Sequence, residues 1–219
     1  MLISYPPDIA RSNYMISRTL VNVNIDQQES GKQLRLCCLN ARSLKNKSAD
    51  FVCYVESCAA DIITITETWL TADDTAHRVE ITPPGFKFLD QPRPGRIGGG
   101  TVILLRDNIN VNKVGAGDRN SFEFSKWIIK HGSFTLRNII IYRPPYSTNH
   151  PVTIRTFIAE FSTYFESIVM SSEPLLITGD FNIHVDQLSD PDSDIFLEDR
   201  KSTRLNSSHS DRSRMPSSA

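Results

Sequence analysis

Two carboxylate side chains stand at the ends of two strongly apolar segments. Glu67 closes the run Asp61-Ile-Ile-Thr-Ile-Thr, and Asp180 follows Pro174-Leu-Leu-Ile-Thr-Gly. Apolar runs of this kind are typical of strands covered on both faces, and catalytic groups collect in the loops that leave such strands. If the two carboxylates meet at one sheet edge, each raises the pKa of the other unless a cation neutralises them. The pattern therefore predicts a metal site.

The available ligand types favour a hard divalent cation. The five histidines show no HxxxH spacing, and the four cysteines show no zinc-ligand spacing. Oxygen ligands favour Mg²⁺ or Mn²⁺ instead. Such a cation polarises a phosphoryl oxygen while a carboxylate orients or deprotonates water, so the predicted chemistry is hydrolysis of a phosphodiester or phosphomonoester.

Two further apolar segments also end in polar groups. Residues 34–40 end on the amide of Asn40, and residues 138–142 end on the phenol of Tyr142. An isolated asparagine after a strand is more often a turn residue, and such a tyrosine can simply border the core. Four strand ends thus carry four polar groups.

The elements that position these groups begin with a β-α-β pattern. After the strand that ends at Asn40, Asn46 or Ser48 can cap a helix that continues to Ala59. The strand 61–66 follows directly. This order predicts that the two strands lie parallel and side by side.

The second half of the sequence predicts short strands and one long helix. Residues 85–142 alternate between short apolar segments and turns, with a hairpin around His131-Gly-Ser133. A helix with Pro151 at its first position carries an apolar stripe to Ile168, and the last strand is 174–179.

Composition predicts the boundaries of a single domain. Residues 1–32 are polar and weakly periodic, which indicates a leader or linker, and the domain is expected over residues 33–198. Residues 199–209 resemble the translation of a common sequencing-library adapter, and residues 213–219 resemble its distal part. Residues 199–219 are therefore predicted to be a non-native, disordered tail. A genuine Ser/Arg-rich disordered tail is the alternative.

Charge excludes a generally basic nucleic-acid-binding surface. The chain has 24 Lys and Arg against 25 Asp and Glu; residues 199–219 contribute five basic and two acidic residues, so the remainder has a net charge of −4. Contact with nucleic acid must come from a local cluster. Because no apolar run approaches membrane-spanning length and Pro6-Pro7-Asp8 interrupts any signal-like segment, an intracellular, soluble chain without a membrane partner is expected.

Five short motifs occur in one order between Leu34 and Asp186: Leu39-Asn40-Ala-Arg-Ser-Leu44, Thr66-Glu67-Thr-Trp-Leu70, Gly98-Gly-Gly-Thr-Val102, Ile141-Tyr142-Arg-Pro-Pro145 and Gly179-Asp180-Phe-Asn182. Each motif alone is weak, but the ordered set is specific. It resembles the endonuclease/exonuclease/phosphatase family, and within it the apurinic-like endonucleases of LINE-type (non-LTR) retrotransposons. The resemblance implies an α/β fold, a two-sheet α/β sandwich flanked by helices, incomplete at its C-terminus.

The resemblance also implies roles for the strand-end groups. Glu67 is the expected metal ligand with Asn40 beside it, and Mg²⁺ or Mn²⁺ is the expected cofactor. Tyr142 is expected to contact the scissile phosphate. Asp180 is expected to position the attacking water, with support from Asn182.

Basic residues in loops near the motifs are candidates for contact with the DNA backbone, although each alone is more often a solvated surface charge: Arg42, Lys45, Arg93, Arg96 and Arg143. The run Gly98–Gly100 lacks the Lys-Ser/Thr of a phosphate loop. It is predicted to let the backbone pass close to another strand.

The function implied by the resemblance is a DNA endonuclease that nicks target DNA and leaves a 3′ hydroxyl to prime reverse transcription in the nucleus. The reverse transcriptase is expected to be fused downstream in the native gene. Two alternatives remain open: a phosphatase of inositol-type phosphoesters, and an inactive fragment that binds DNA or nothing.

The last motif of the family, a Ser-Asp-His, has no counterpart in this sequence. His209 follows Ser-Ser and belongs to the adapter-like segment. Closing strands of the second sheet are also expected to be missing, which would expose core and an unpaired edge. The chain is therefore predicted to fold poorly and to be inactive.

Sequencing the source gene across the codon for Glu198 tests the predicted truncation. We expect the reading frame to continue to a Ser-Asp-His and then to a polymerase, because the domain needs its closing strands. A native frame that ends in the Ser/Arg-rich tail would contradict this prediction.

Overall fold

The computed structural model describes residues 17–24, 33–95 and 98–183 of the chain. Within these ranges the strands and helices, in chain order, are β1 (Ser17–Asn24), β2 (Gln33–Asn40), α1 (Ser48–Cys58), β3 (Ile62–Thr66), α2 (Thr75–Glu80), β4 (Phe86–Gln91), β5 (Thr101–Arg106), β6 (Asn110–Asp118), β7 (Glu123–His131), β8 (Phe134–Tyr142), α3 (Ile154–Val169) and β9 (Leu175–Asp180).

The described strands form two mixed sheets. The first has the order β1-β2-β3-β5-β4, and the second has the order β6-β7-β8-β9. β2 and β3 are parallel neighbours on either side of α1 in the chain, which confirms the prediction made from the β-α-β pattern. β8 and β9 are also parallel. Each sheet therefore contains one parallel pair, and each parallel pair ends in residues of the motifs.

Two apolar layers cover the first sheet, because successive side chains of a strand point to opposite faces. On β3, Ile63 and Ile65 pack with Phe51 and Val55 of α1. Ile62 points the other way and packs with side chains of the second sheet, including Trp127. The central strands are thus buried on both faces, which explains their continuous apolar sequence. The predicted α/β two-sheet sandwich with helices is confirmed.

One described strand lies where the sequence predicted a leader or linker. β1 pairs antiparallel with β2 over its whole length, from Ser17 opposite Asn40 to Asn24 opposite Gln33. Thr19, Val21 and Val23 occupy alternate positions, which is a pattern typical of strands. The asparagines between and after them weaken that pattern, because asparagine is uncommon in strands. Part of the predicted leader therefore belongs to the first sheet.

Two helices differ from the sequence prediction. α2 was not predicted, because it has only six residues and none of them is buried, so no apolar stripe marks it. α3 begins at Ile154 rather than at Pro151. The Thr153 hydroxyl accepts a hydrogen bond from the Thr156 N–H at 3.3 Å, which caps the helix at that later position. No helix in the described ranges is long and apolar enough to cross a membrane.

The chain divides into two compact units. Among the described residues, both sheets belong to the first unit, with residues 17–24, 33–95, 98–144 and 168–181. Most of α3 lies in the second unit, with residues 145–167, 182 and 183. Within α3, the rings of Phe157 and Phe161 stack at 5.5 Å, one turn apart.

The backbone of β8 lies very close to Gly179 of β9. The φ of Gly179, 136°, is one that L side chains rarely adopt, and a Cβ there would lie 1.8 Å from the carbonyl oxygen of Ile141. Because Asp180 is the next residue, this close approach also sets the position of one motif carboxylate.

Gly179→Ala is expected to lower the free energy of unfolding by about 2–5 kcal/mol, because it adds overpacking to backbone strain. Urea denaturation measures the change. Gly132→Ala is the matched control: Gly132 has φ of 58° with no atom within 4 Å of an added Cβ. It should cost about 1–2 kcal/mol from backbone strain alone. Equal losses in the two variants would contradict the close-approach argument.

Candidate active site

The side-chain amide of Asn40 connects the ends of the two sheets. Its Nδ2 donates to Glu67 Oε1 at 2.7 Å and to Asp180 Oδ2 at 2.5 Å. Asn40 and Glu67 come from β2 and the residue after β3, whereas Asp180 ends β9 of the other sheet. Because one nitrogen reaches both carboxylates, their bonded oxygens lie within about 5 Å of each other. The two carboxylates therefore share one site.

A local hydrogen bond orients the Asn40 side chain. Its Oδ1 accepts from the Arg42 N–H at 3.0 Å, a turn typical of asparagine. Arg42 and Ser43 both have positive φ, at 44° and 79°. With its oxygen held by the following turn, the Asn40 amide presents its two N–H groups to the carboxylates.

The backbone that carries Glu67 is strained and is held by its neighbour. Glu67 has φ of 54°. The loop after β2 bonds to the loop after β3 through three N–H donors: Ala41 to Thr66 O at 3.0 Å, Ser43 to Glu67 O at 2.7 Å and Leu44 to Thr68 O at 2.9 Å. Such conformations cost about 1–3 kcal/mol and persist only where surrounding bonds maintain them. The parallel ladder thus continues past the strands into the site.

Tyr142 joins the same group at the end of β8. It is buried and lies opposite Asp180 in the register of β8 and β9, and the charge of Glu67 acts on its phenol. Burial, followed by the charge of Glu67, holds the pKa of the Tyr142 phenol well above its usual value. Tyr142 therefore stays protonated at neutral pH and can only donate to an anion. The structure brings together four of the five predicted catalytic residues: Asn40, Glu67, Tyr142 and Asp180.

A buried ion pair lies behind Tyr142. Arg93 Nε donates to Glu123 Oε2 at 2.6 Å, and the two side chains are 8% and 7% exposed. The second oxygen of Glu123 accepts from Gly100 N at 2.6 Å. The guanidinium carbon of Arg93 lies 5.5 Å from the centroid of the Tyr142 ring. Burial raises the pKa of Glu123, and the charge of Arg93 opposes that shift.

Sequence reasoning did not single out Glu123 and treated Arg93 as a loop charge near the site. The available signal was Glu123 itself, because a carboxylate that opens an apolar strand needs a buried partner. Arg93 fills that need from the loop after β4. Its partner could not be identified from sequence, since 30 residues separate the two.

Gly99 of the run Gly98–Gly100 packs against the side chains of this pair. A Cβ at Gly99 would lie 2.5 Å from the Arg93 guanidinium, and one at Gly100 would lie 2.6 Å from Thr68 Oγ1. The Gly99 carbonyl accepts from Trp69 N at 3.0 Å. Only glycine leaves room for these contacts.

Arg143 is buried and donates hydrogen bonds within the protein. It is 3% exposed, its Nη1 donates to Phe181 O at 3.1 Å, and its N–H donates to Asp180 O at 2.9 Å. These bonds brace the end of β9 directly beside the Asp180 carboxylate. Contact between Arg143 and DNA stays a prediction.

The other predicted contact residues differ in their surroundings. Lys45 Nζ lies 3.0 Å from Asp74 Oδ2. Arg42 is exposed, and its guanidinium makes no hydrogen bond or ion pair within the described residues. Arg96 lies outside the described residues. Asn182 has φ of 47° and belongs to the second unit.

The donor set fits a hard divalent cation. Across residues 17–24, 33–95 and 98–183 no cluster contains three or more His, Cys, Asp or Glu side chains arranged to hold a metal. Glu67 and Asp180 nevertheless supply two adjacent carboxylates with only an amide between them. Mg²⁺ commonly binds through one or two carboxylates and completes its shell with water and substrate phosphate. Two carboxylates therefore suit Mg²⁺, which keeps water and phosphate among its ligands, better than a metal ion whose ligands all come from the protein.

Comparison with models of protein families shows which family the chain belongs to. Residues 37–212 match the Endonuclease/Exonuclease/phosphatase family, a span that includes part of the predicted tail. The chain belongs to this family. Members of the endonuclease/exonuclease/phosphatase family are hydrolytic nucleases and phosphatases and generally depend on a divalent metal. No curated protein sequence matches the chain.

Solved structures support the same fold. The endonuclease domain of TRAS1, a telomere-specific non-LTR retrotransposon, has a TM-score of 0.56 at 14% identity, over 77% of this chain and 71% of that one. The AP endonuclease LMAP from Leishmania major has a TM-score of 0.55 at 16% identity, over 74% and 64%. TDP2 from C. elegans has a TM-score of 0.51 at 17% identity, over 79% and 50%. The chain thus spans between half and three quarters of the length of these structures.

Glu123→Ala is expected to lower the free energy of unfolding by about 3–5 kcal/mol, because it leaves the Arg93 charge buried without its partner. Glu173→Ala is the matched control: Glu173 also pairs with an arginine, at 2.7 Å, but the side chains of that pair are 19% and 34% exposed. Its loss should cost about 0–1 kcal/mol. Chemical denaturation of both variants measures the difference, and a loss below about 1 kcal/mol for Glu123→Ala would contradict the assignment of a buried pair.

Proposed function

We propose that the chain carries the active site of a Mg²⁺-dependent DNA endonuclease of a LINE-type retrotransposon, which nicks target DNA in the nucleus. The observation that carries the proposal is the single amide of Asn40 that holds Glu67 and Asp180 together beside the Tyr142 phenol. Family membership supports a phosphodiester as substrate. The motifs around Asn40 and Tyr142 support the retrotransposon branch, with reverse transcriptase fused downstream.

In this mechanism Asp180 orients a water molecule and accepts its proton as the oxygen attacks phosphorus. The P–O3′ bond breaks, the leaving 3′ oxygen takes a proton from solvent, and the products are a 3′ hydroxyl and a 5′ phosphate. Glu67, with Asn40 beside it, would hold Mg²⁺, which when bound supplies charge that stabilises the phosphoryl oxygens. Asn40 also fixes the Asp180 carboxylate through its 2.5 Å bond.

Tyr142 contributes a proton donor that does not ionise. Because burial and Glu67 keep its pKa high, the phenol remains neutral beside an anionic substrate and donates to a non-bridging phosphate oxygen. The guanidinium carbon of Arg93 lies 5.5 Å from the centroid of the Tyr142 ring and helps to hold the ring in place.

Asp180→Asn and Glu67→Gln are expected to slow Mg²⁺-dependent nicking of supercoiled plasmid about 100-fold or more, because each removes a carboxylate from the site. The controls are Asp73→Asn and Glu56→Gln, which change exposed carboxylates outside the site by the same chemistry. Both controls should nick within about twofold of the parent rate. Conversion of supercoiled to open-circular DNA, with excess protein and with or without EDTA, measures the rates.

The assay uses the 219-residue chain and a form extended with sequence read beyond Glu198. Nicking that survives EDTA or Asp180→Asn contradicts the proposal. Faster turnover of inositol phosphates than of plasmid supports the phosphatase instead. Calorimetry with Mn²⁺ gives a second readout, and we expect Glu67→Gln to weaken the binding of Mn²⁺. If neither the 219-residue chain nor the extended form nicks DNA or binds Mn²⁺, the chain is an inactive fragment.

A further inference from the structure

Trp69 is an exposed aromatic residue on the loop that carries Glu67. It is 40% exposed, whereas Trp127, the other tryptophan of the chain, is buried at 2%. Its neighbours Thr68 and Leu70 are both buried, so the backbone turns this one side chain outward. Trp69 lies two residues after Glu67 and was assigned no role by the sequence motifs.

The conformation of Trp69 is one that bulky residues rarely adopt. Its φ is 59°, in the left-handed region where non-glycine residues are outliers. The Trp69 N–H donates to Gly99 O at 3.0 Å, which maintains the turn. Strain of this kind clusters at active sites and ligand clamps, where it serves to present a side chain.

The indole of Trp69 lies next to the glycine loop. A Cβ built on Gly98 would lie 3.8 Å from the indole Nε1 and 3.9 Å from Cε2, so the glycine loop rests against it without crowding it. Within the described residues the indole N–H makes no hydrogen bond. Trp69 is 40% exposed, so part of the ring is open to solvent together with a donor that no described residue uses.

A cation lies on the adjacent loop. Arg42 is exposed, and the loop that carries it bonds to the loop of Trp69 through Ser43 N to Glu67 O and Leu44 N to Thr68 O. Aromatic rings that stack on bases, beside cations that contact phosphates, are the combination by which proteins hold nucleic-acid strands. A small phosphomonoester has no base to stack on such a ring.

We infer that Trp69 is a nucleic-acid contact: its indole stacks on a base of the strand next to the scissile phosphate. The inference rests on the proposed function, because it needs DNA as the substrate. It adds a residue that selects polynucleotide over small phosphate esters.

The intrinsic fluorescence of Trp69 tests this inference directly in the full chain. A short DNA duplex with a frayed end, added in EDTA so that nothing is cleaved, should quench the emission of the parent protein saturably. In Trp69→Phe, where only buried Trp127 emits, we expect that quenching to disappear while the affinity for fluorescein-labelled DNA stays within about threefold, because phenylalanine keeps a stacking face.

Anisotropy with the same labelled DNA measures the contribution of the ring. Trp69→Ala should weaken binding about tenfold or more, as expected for the loss of one base-stacking contact. The control is Val79→Ala, which truncates a side chain that is 74% exposed on α2. That variant should keep the parent affinity. Circular dichroism and thermal unfolding of each variant show whether it is folded.

The outcomes separate this inference from the proposed function. If the parent binds DNA, its emission does not change and Trp69→Ala binds equally well, the inference is overturned and the proposed function stands. If the parent binds no DNA at all, both are overturned. If Trp69→Ala does not fold, quenching in the parent and its loss in Trp69→Phe still decide the question.

Discussion

The site depends on one geometric constraint: a single amide must reach carboxylates that belong to two different sheets. Asn40 and Glu67 come from one parallel pair, β2 and β3, and Asp180 comes from the other, β8 and β9. A hydrogen bond tolerates a few tenths of an ångström, so the two sheets must keep their relative position to that precision. The apolar layer between them, built from strands buried on both faces, provides this rigidity because close-packed interiors deform little.

Around that constraint the protein accepts several local costs. Glu67 and Trp69 have left-handed backbones, and Arg93 and Glu123 are charges removed from water. Each cost is offset by bonds to a neighbouring loop: the ladder between the loops after β2 and β3, and the Gly100 N–H that caps Glu123. These features surround the carboxylates. Strained backbone and buried ion pairs there hold side chains in orientations that an unstrained backbone would not maintain.

The sequence predicted the elements with a strong apolar pattern better than those without one. β2, α1 and β3 carry a continuous apolar run or a helical stripe, so their type and parallel pairing could be predicted. β1 and α2 could not, because β1 is rich in asparagine and α2 buries none of its residues. α3 begins three residues after Pro151, because the hydroxyl cap of Thr153 decides its start.

The sequence by itself determined which polar groups follow the buried strands, since strand ends are local features set by apolar periodicity and glycine. It also determined which functional groups are available to the site: carboxylates and amides, without the histidine or cysteine spacing of a zinc site. Tertiary structure alone decided which of these groups meet. Asn40 lies 140 positions from Asp180, and Arg93 lies 30 from Glu123, so their contacts arise from sheet order and packing. Only the folded chain shows that Arg93 and Arg143 are buried while Trp69 is exposed, because burial depends on what packs around a residue.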